Sequence, residues 1–154
     1  MNHWLLKSEP DSFSIDDLSA APKQTTAWDG VRNFQARNML RDAMNKGDLA
    51  FFYHSGCDEP CIAGIVSIAR SGYPDKTALN PKHHHYDARE RSDAPRWFAV
   101  DVKLLRKLTH VITLDELRRH GARALKDLVL LRRGNRLSVM PVSKKDWDFV
   151  LSLE

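Results

Sequence analysis

The sequence predicts an α+β domain built on a curved, mostly antiparallel sheet, a partly open barrel with helices at its periphery. Three observations carry that expectation. Short apolar runs of strand-like composition are joined by local, turn-rich connections; the helical stretches are brief and open on capping signals; and no repeat or low-complexity tract interrupts the chain. With 154 residues, 42% hydrophobic and 29% charged, there is material for one core, so residues 1–154 are read as a single domain.

His3 to Lys7 reads as a short strand, ended by Ser8-Glu9-Pro10-Asp11, where proline and small polar residues break regular pairing. Ser14 with Asp17 three positions on is a capping arrangement for a short helix, Ile15 to Ala20, and a loop with Pro22 and Thr25-Thr26 follows. From Arg32 to Ala43 the pattern turns helical: Val31, Phe34, Met39 or Leu40, and Ala43 share a side, and Gly47 is placed to end the helix. Leu49 to His54 is compact and aromatic, as a buried strand is, and Ser55-Gly56 begins a turn. Cys61 to Arg70 supplies its hairpin partner, with Gly64 where a bulge or close approach is needed.

Ser71 to Arg96, punctuated by Gly72, Pro74, Pro81 and Pro95, reads as a long excursion. Trp97 to Leu105 alternates, with Phe98, Val100, Val102 and Leu104 on one face, and predicts a half-buried strand. Thr113 and Glu116 repeat the capping box before Leu114 to His120, with Gly121 available for a left-handed close. Ala124 to Leu131 fits either a helical turn or a strand. Leu137 to Met140 is extended, Pro141 breaks it, and Ser143 with Asp146 starts a last helix whose Trp147, Val150 and Leu151 face the core.

Charge is unevenly spread. Lys103 to Arg136 carries ten basic residues against three acidic, whereas Met1 to Val102 carries twelve against fourteen. Such a segment suits phosphates, although basic residues on a helix also serve as a solvated face. The amino terminus has no basic leader with a long apolar stretch, and the longest apolar-rich run, Cys61 to Ala69, is too short to span a bilayer, so a cytoplasmic protein without membrane contact is expected. Cys57 and Cys61, four positions apart, are expected as reduced thiols.

Several chemistries can be weighed. His54, Ser55 and Cys57 are close in sequence, but adjacent strand positions point to opposite faces and no third orienting group is identifiable. His54, Cys57, Cys61 and the run His83-His84-His85 are metal-ligand types without zinc-finger spacing, so no metal is expected beyond incidental nickel or zinc affinity at the histidine run. No glycine-rich phosphate loop occurs, and no cofactor is expected. More suggestive are three element ends: Lys7-Ser8-Glu9, Trp28-Asp29-Gly30-Val31-Arg32-Asn33, and Phe52-Tyr53-His54-Ser55. Converging at one mouth of a small barrel, they would offer aromatic faces, donors and acceptors to a flat heteroaromatic ring. The competing reading is core packing for Trp28 and Phe52 and helix capping by Asn33 or Asp29.

Those segments, with Trp4-Leu5-Leu6-Lys7-Ser8-Glu9-Pro10, Gly47-Asp48, Tyr73-Pro74-Asp75 and Arg136-Leu137-Ser138-Val139, resemble the EVE domain family, in order and over nearly the whole chain. The resemblance implies a PUA-like pseudo-barrel related to the YTH readers of methylated adenine. It also implies non-catalytic recognition of a modified base, such as a modified cytosine in DNA, or of modified RNA. The histidine run departs from the family pattern. On this reading Trp28 or Tyr53 stacks on an extruded base; Ser8, Glu9, Asn33, His54 and Ser55 contact its edge, with Lys7, Asp29 and the backbone of Gly30 and Val31 nearby. Arg32, Arg132, Arg133 and Arg136 are expected at phosphates. The alternatives are a hydrolase or nuclease using His54 with Glu9 or Cys57, and a protein-interaction module.

Overall fold

The computed structural model describes all 154 residues, Met1–Glu154. Six strands form one open sheet: β1 (His3–Ser8), β2 (Thr25–Trp28), β3 (Leu49–His54), β4 (Cys61–Pro74), β5 (Phe98–Thr113) and β6 (Val139–Val142), in the order β2-β5-β4-β3-β1-β6. Every pairing is antiparallel except β1 with β3, which run parallel from His3 opposite Leu49 to Ser8 opposite His54. A parallel pair needs a crossover. Here it comprises α1 (Ile15–Ala20), β2 and α2 (Phe34–Asn38), and it brings the carboxyl ends of β1 and β3 together beside the segment that follows β2. α3 (Leu114–Arg119) and α4 (Lys144–Ser152) complete the chain.

The sheet is buried on both faces. Trp4, Leu6, Ala50, Phe52, Val66, Val100 and Val102 belong to one core, with α1 and α2 contributing Leu18 and Ala36. Leu5, Phe51, Tyr53, Ile62, Ile65 and Ile112 belong to the other, closed by Leu117, Trp147 and Val150 from α3 and α4. Two-sided burial explains the unbroken apolar runs of β1 and β3, because successive side chains enter opposite cores. On β4 the alternation slips: Ala63 is in the first core, yet Ile65 is in the second. A bulge at Gly64 accounts for the change of phase, since Phe52 pairs with Gly64 and Tyr53 with Ile62. A Cβ there would lie 2.7 Å from Ile15 Cδ1 and 2.9 Å from the Arg106 carbonyl, so the expected close approach is found.

The expected capping boxes form at Ser14 with Asp17 and at Thr113 with Glu116, and Ser143 accepts from the Asp146 N–H to start α4. Elsewhere the structure differs from the sequence reading. Thr25-Thr26 are not loop but the start of β2, paired with Lys103 and Val102. α2 is one short helix capped by Asn33 and continued by a wide turn, Met39–Ala43, so it closes before Gly47. Pro141 does not break β6 but sits within it, tolerated because β6 is an edge strand paired only with β1. α3 closes on His120 at φ −102, not on a left-handed Gly121. The stretch from Ala124 to Leu131 is mostly turns, ending in a short 3-10 segment, Val129–Leu131.

The excursion after Arg70 is fastened down. β4 continues to Pro74 against β5, Ala78 is fully buried, and the Trp97 indole N–H donates to Asp87 Oδ2 at 2.7 Å. Glu90 accepts from the backbone N–H groups of Arg96 and Trp97, closing the loop onto the start of β5. No helix is long and apolar enough to cross a membrane.

Candidate nucleic-acid interface

Between the carboxyl end of β1, the segment after β2 and the histidine run lies a cleft of about 420 Å³. That is within the ordinary range for small-molecule sites and ample for one nucleobase. Trp28 is its largest aromatic. Its indole is only 8% exposed and meets Phe52 edge-on at 5.5 Å, so it is anchored in the first core while it lines the cleft.

Asp29, Gly30, Val31 and Arg32 form one wall, and Asp75 holds it. Asp75 Oδ2 accepts from the Gly30 N–H at 2.9 Å and from Arg32 Nη1 at 3.0 Å; Oδ1 accepts from the Thr77 N–H at 3.0 Å and the Thr77 hydroxyl at 2.6 Å. Burial alone would raise this carboxyl, but the Thr77, Gly30 and Arg32 hydrogen bonds and the Arg32 charge hold it below the usual range. Arg32 also donates from Nε and Nη2 to the His85 carbonyl, at 3.2 and 2.7 Å, which fixes the histidine run over the wall. Gly30 has φ +75, and a Cβ on it would fall 2.5 Å from His85 Nε2. Only glycine fits both conditions.

The polar lining is mixed in sign. Burial, reinforced by Asp75, raises the pKa of Asp29, whose Oδ1 lies 3.5 Å from His85 Nδ1. Burial lowers His85, favouring the neutral imidazole. Lys7 is half-buried, its pKa pushed down by burial, and it enters no ion pair. The Ser8 hydroxyl donates to the Phe13 carbonyl at 2.6 Å, so toward the cleft it offers an acceptor. Thus Lys7, Ser8, Trp28, Asp29, Gly30, Val31 and Arg32 line one cleft; Arg32, expected at a phosphate, is instead committed to Asp75 and to the Val31 and His85 carbonyls.

The other expected contacts lie elsewhere. Glu9 is exposed and covers Gly56. Asn33 caps α2, accepting from the Ala36 N–H at 2.9 Å. Tyr53 is buried in the second core, its hydroxyl pushed up to about 12 by burial. His54 Nε2 accepts from the Ile15 N–H at 3.1 Å and so supports α1, while the Ser55 N–H donates to the Ser8 carbonyl. Burial lowers the His54 pKa. Arg132, Arg133 and Arg136 line an adjoining cavity of about 330 Å³ with Asn33.

For the enzyme alternative, His54 makes no hydrogen bond to Glu9 or Cys57; its Nε2 accepts from the Ile15 N–H instead. Ring nitrogens of His83, His84 and His85 lie within 4.8 Å of one another, a candidate metal grouping. Two are already engaged: His83 Nδ1 accepts from the His85 N–H, and His85 Nδ1 lies 3.4 Å from Thr77 Oγ1. Sequence reasoning missed Asp75 and the cleft role of the histidine run. The Tyr73-Pro74-Asp75 motif was a signal for the first.

Comparison with known proteins follows the same lines. The family described as EVE domain matches residues 2–153. Human thymocyte nuclear protein 1 is 49% identical over 168 residues, covering 99% of this chain and 74% of the relative. A crystal structure of human THYN1 protein in complex with 5-methylcytosine-containing DNA superposes with a TM-score of 0.95 at 48% identity, over 99% of this chain and 97% of that one. A Pseudomonas putida protein superposes at 0.92 and 47% identity, over 98% of each chain.

Proposed function

The chain belongs to the EVE domain family, and from that premise we propose that residues 1–154 act as one domain that binds 5-methylcytosine-containing DNA without catalysing a reaction on it. The observation that carries this reading is the base-sized cleft walled by Trp28 and the Asp29–Arg32 segment, in a fold matching that of a human relative solved with such DNA. The mixed donors and acceptors of the cleft support it.

A base in a duplex must be turned out to reach this cleft, at a cost of a few kcal/mol. Stacking on an aromatic face, worth about 1 to 3 kcal/mol per base, offsets much of that cost. Trp28 supplies the face. Asp29 accepts from the exocyclic amine of cytosine, the pairing that a carboxylate and that amine favour. The apolar atoms of Trp28, Phe13 and Val31 receive the 5-methyl group, which an unmethylated cytosine would leave unfilled. A reducing compartment belongs to the same reading, in keeping with the free thiols of Cys57 and Cys61.

The test is binding at fixed salt to matched duplexes that differ only in one 5-methyl group, with RNA counterparts beside them, and recovery of the oligonucleotide afterwards. Preference for methylated DNA, with affinity lowered in Asp29→Ala and the DNA recovered unchanged, is the expected result. Equal binding to all four, or conversion of the oligonucleotide, would overturn the proposal.

A further inference from the structure

Lys7 lines not only the base-sized cleft but also a separate cavity of about 400 Å³, shared with Tyr53, Arg118 of α3, and Arg132 and Arg133. Four cations face this space, and no carboxylate lines it. None of the four enters an ion pair. Some arginines elsewhere are neutralised, Arg32 by Asp75, Arg41 by Asp42, Arg89 by Asp87, Arg91 by Asp93 and Arg106 by Glu154, while Arg119 and others are unpaired too; what marks this space is that its cations share one recess. The adjoining cavity, which shares Arg132 and Arg133 and adds Arg136, is likewise free of carboxylates. Like charges gathered in a recess repel one another unless an anion joins them.

The structure assigns this cavity as a phosphate subsite: Lys7, Arg118, Arg132 and Arg133 hold a phosphodiester of the strand whose base occupies the neighbouring cleft. The assignment rests on the reader function proposed above and adds to it the residues that fix the register of the backbone. Guanidinium groups match phosphate oxygens with forked donors, and Lys7 contributes a point charge shared between phosphate and base. Tyr53, parallel to Lys7 in the sheet and 6.0 Å beneath its ammonium, keeps its hydroxyl proton and is a further donor. Because Lys7 borders both spaces, base and phosphate are read together.

The experiment uses a duplex with one 5-methylcytosine and a set in which one phosphate at a time is replaced by a neutral methylphosphonate. Neutralising a phosphate next to the methylated nucleotide should weaken binding about tenfold, and this penalty should shrink in Arg118→Ala and in Arg133→Ala. Arg119→Ala is the control: it is exposed, on the same helix, and lines neither cavity. On unmethylated duplex, Arg118→Ala should lower the salt slope by about 1, as loss of one phosphate contact does, and Arg119→Ala should not. A methylphosphonate series without a sensitive position, or identical behaviour of the two arginine variants, would overturn the subsite. Absence of methyl preference together with a lowered slope in Arg118→Ala alone would sink the reader function and leave the phosphate subsite standing.

Discussion

Arg32 and Asp75 meet at 3.0 Å across 43 positions of sequence, the aspartate side chain fully buried and the arginine 25% exposed. Through this pair the wall of the cleft is held by the end of β4, and through the remaining Arg32 donors the histidine run is held by the wall. The pair acts as a clasp. Its value is geometric before it is energetic, because a buried ion pair gains little over an apolar one while breaking it is costly.

Asp75→Asn should therefore destabilise the domain by about 3 kcal/mol, since it leaves Arg32 without its counter-charge and sets an amide against the Gly30 N–H. Urea unfolding measures this; a loss under 1 kcal/mol would mean the clasp is slack. Arg32→Lys isolates the other half. An ammonium can still meet Asp75 but cannot also fork onto the His85 carbonyl, so stability should change little while affinity for methylated DNA falls about tenfold.

Gly30 and Gly47 offer a controlled pair. Both have positive φ, +75 and +95, but a Cβ on Gly30 runs into His85 whereas one on Gly47 meets nothing within 4 Å. Alanine at either should cost about 1 to 2 kcal/mol in backbone strain. Only Gly30→Ala should abolish binding, because His85 must move. Equal binding by the two variants would show that the histidine run is not part of the site.

Much of this could be read in the sequence where burial is strongest. β1 and β3 announce themselves because both their faces are covered, and the Trp28 to Arg32 segment stands out by its composition. β2 was hidden because Thr25 to Ala27 is partly exposed and lacks an apolar pattern. The far ends of β4 and β5 were hidden because Ser71, Gly72 and Arg106 to Thr109 carry few apolar side chains and the pairing slips between Arg70 and Tyr73 and between Ile62 and Gly64. Parallel pairing of β1 with β3 depends on a crossover that no local pattern records. Within the site, chain neighbours misled: Tyr53 and His54 adjoin Phe52, yet Tyr53 enters the opposite core and His54 turns to α1. Asp75 and His85 come to Gly30 only when the long excursion folds back, a long-range event.

Trp28 serves core and cleft at once, so its truncation confuses the two. Trp28→Ala would remove an indole from among the 18 buried residues of the first core, at about 3 to 5 kcal/mol. Trp28→Phe keeps the edge contact with Phe52 and most of the volume, and should cost less than about 2 kcal/mol while trimming the stacking face. Affinity for methylated DNA should drop several-fold with the unfolding midpoint nearly kept. Unchanged affinity in this folded variant would remove Trp28 from the stacking role and leave it to the core.

His54 sets a pH dependence whose sign follows from its place. Burial lowers its pKa below the ordinary 6.5, with Asp16 opposing, and Nε2 must be unprotonated to accept from the Ile15 N–H. The folded state resists the proton more than the unfolded chain does, so this stability is complete above pH 6.5 and is lost as pH falls through the lowered folded value. One proton contributes at most about 1.4 kcal/mol per pH unit. His3 and His85, also lowered by burial, act in the same direction, so the wild-type profile alone does not assign the effect. His54→Gln can still accept from Ile15 but does not titrate. Between pH 7.5 and 5.5 it should lose about 1 kcal/mol less than the wild type by urea unfolding; parallel profiles would show that the His54 hydrogen bond is not what acid removes.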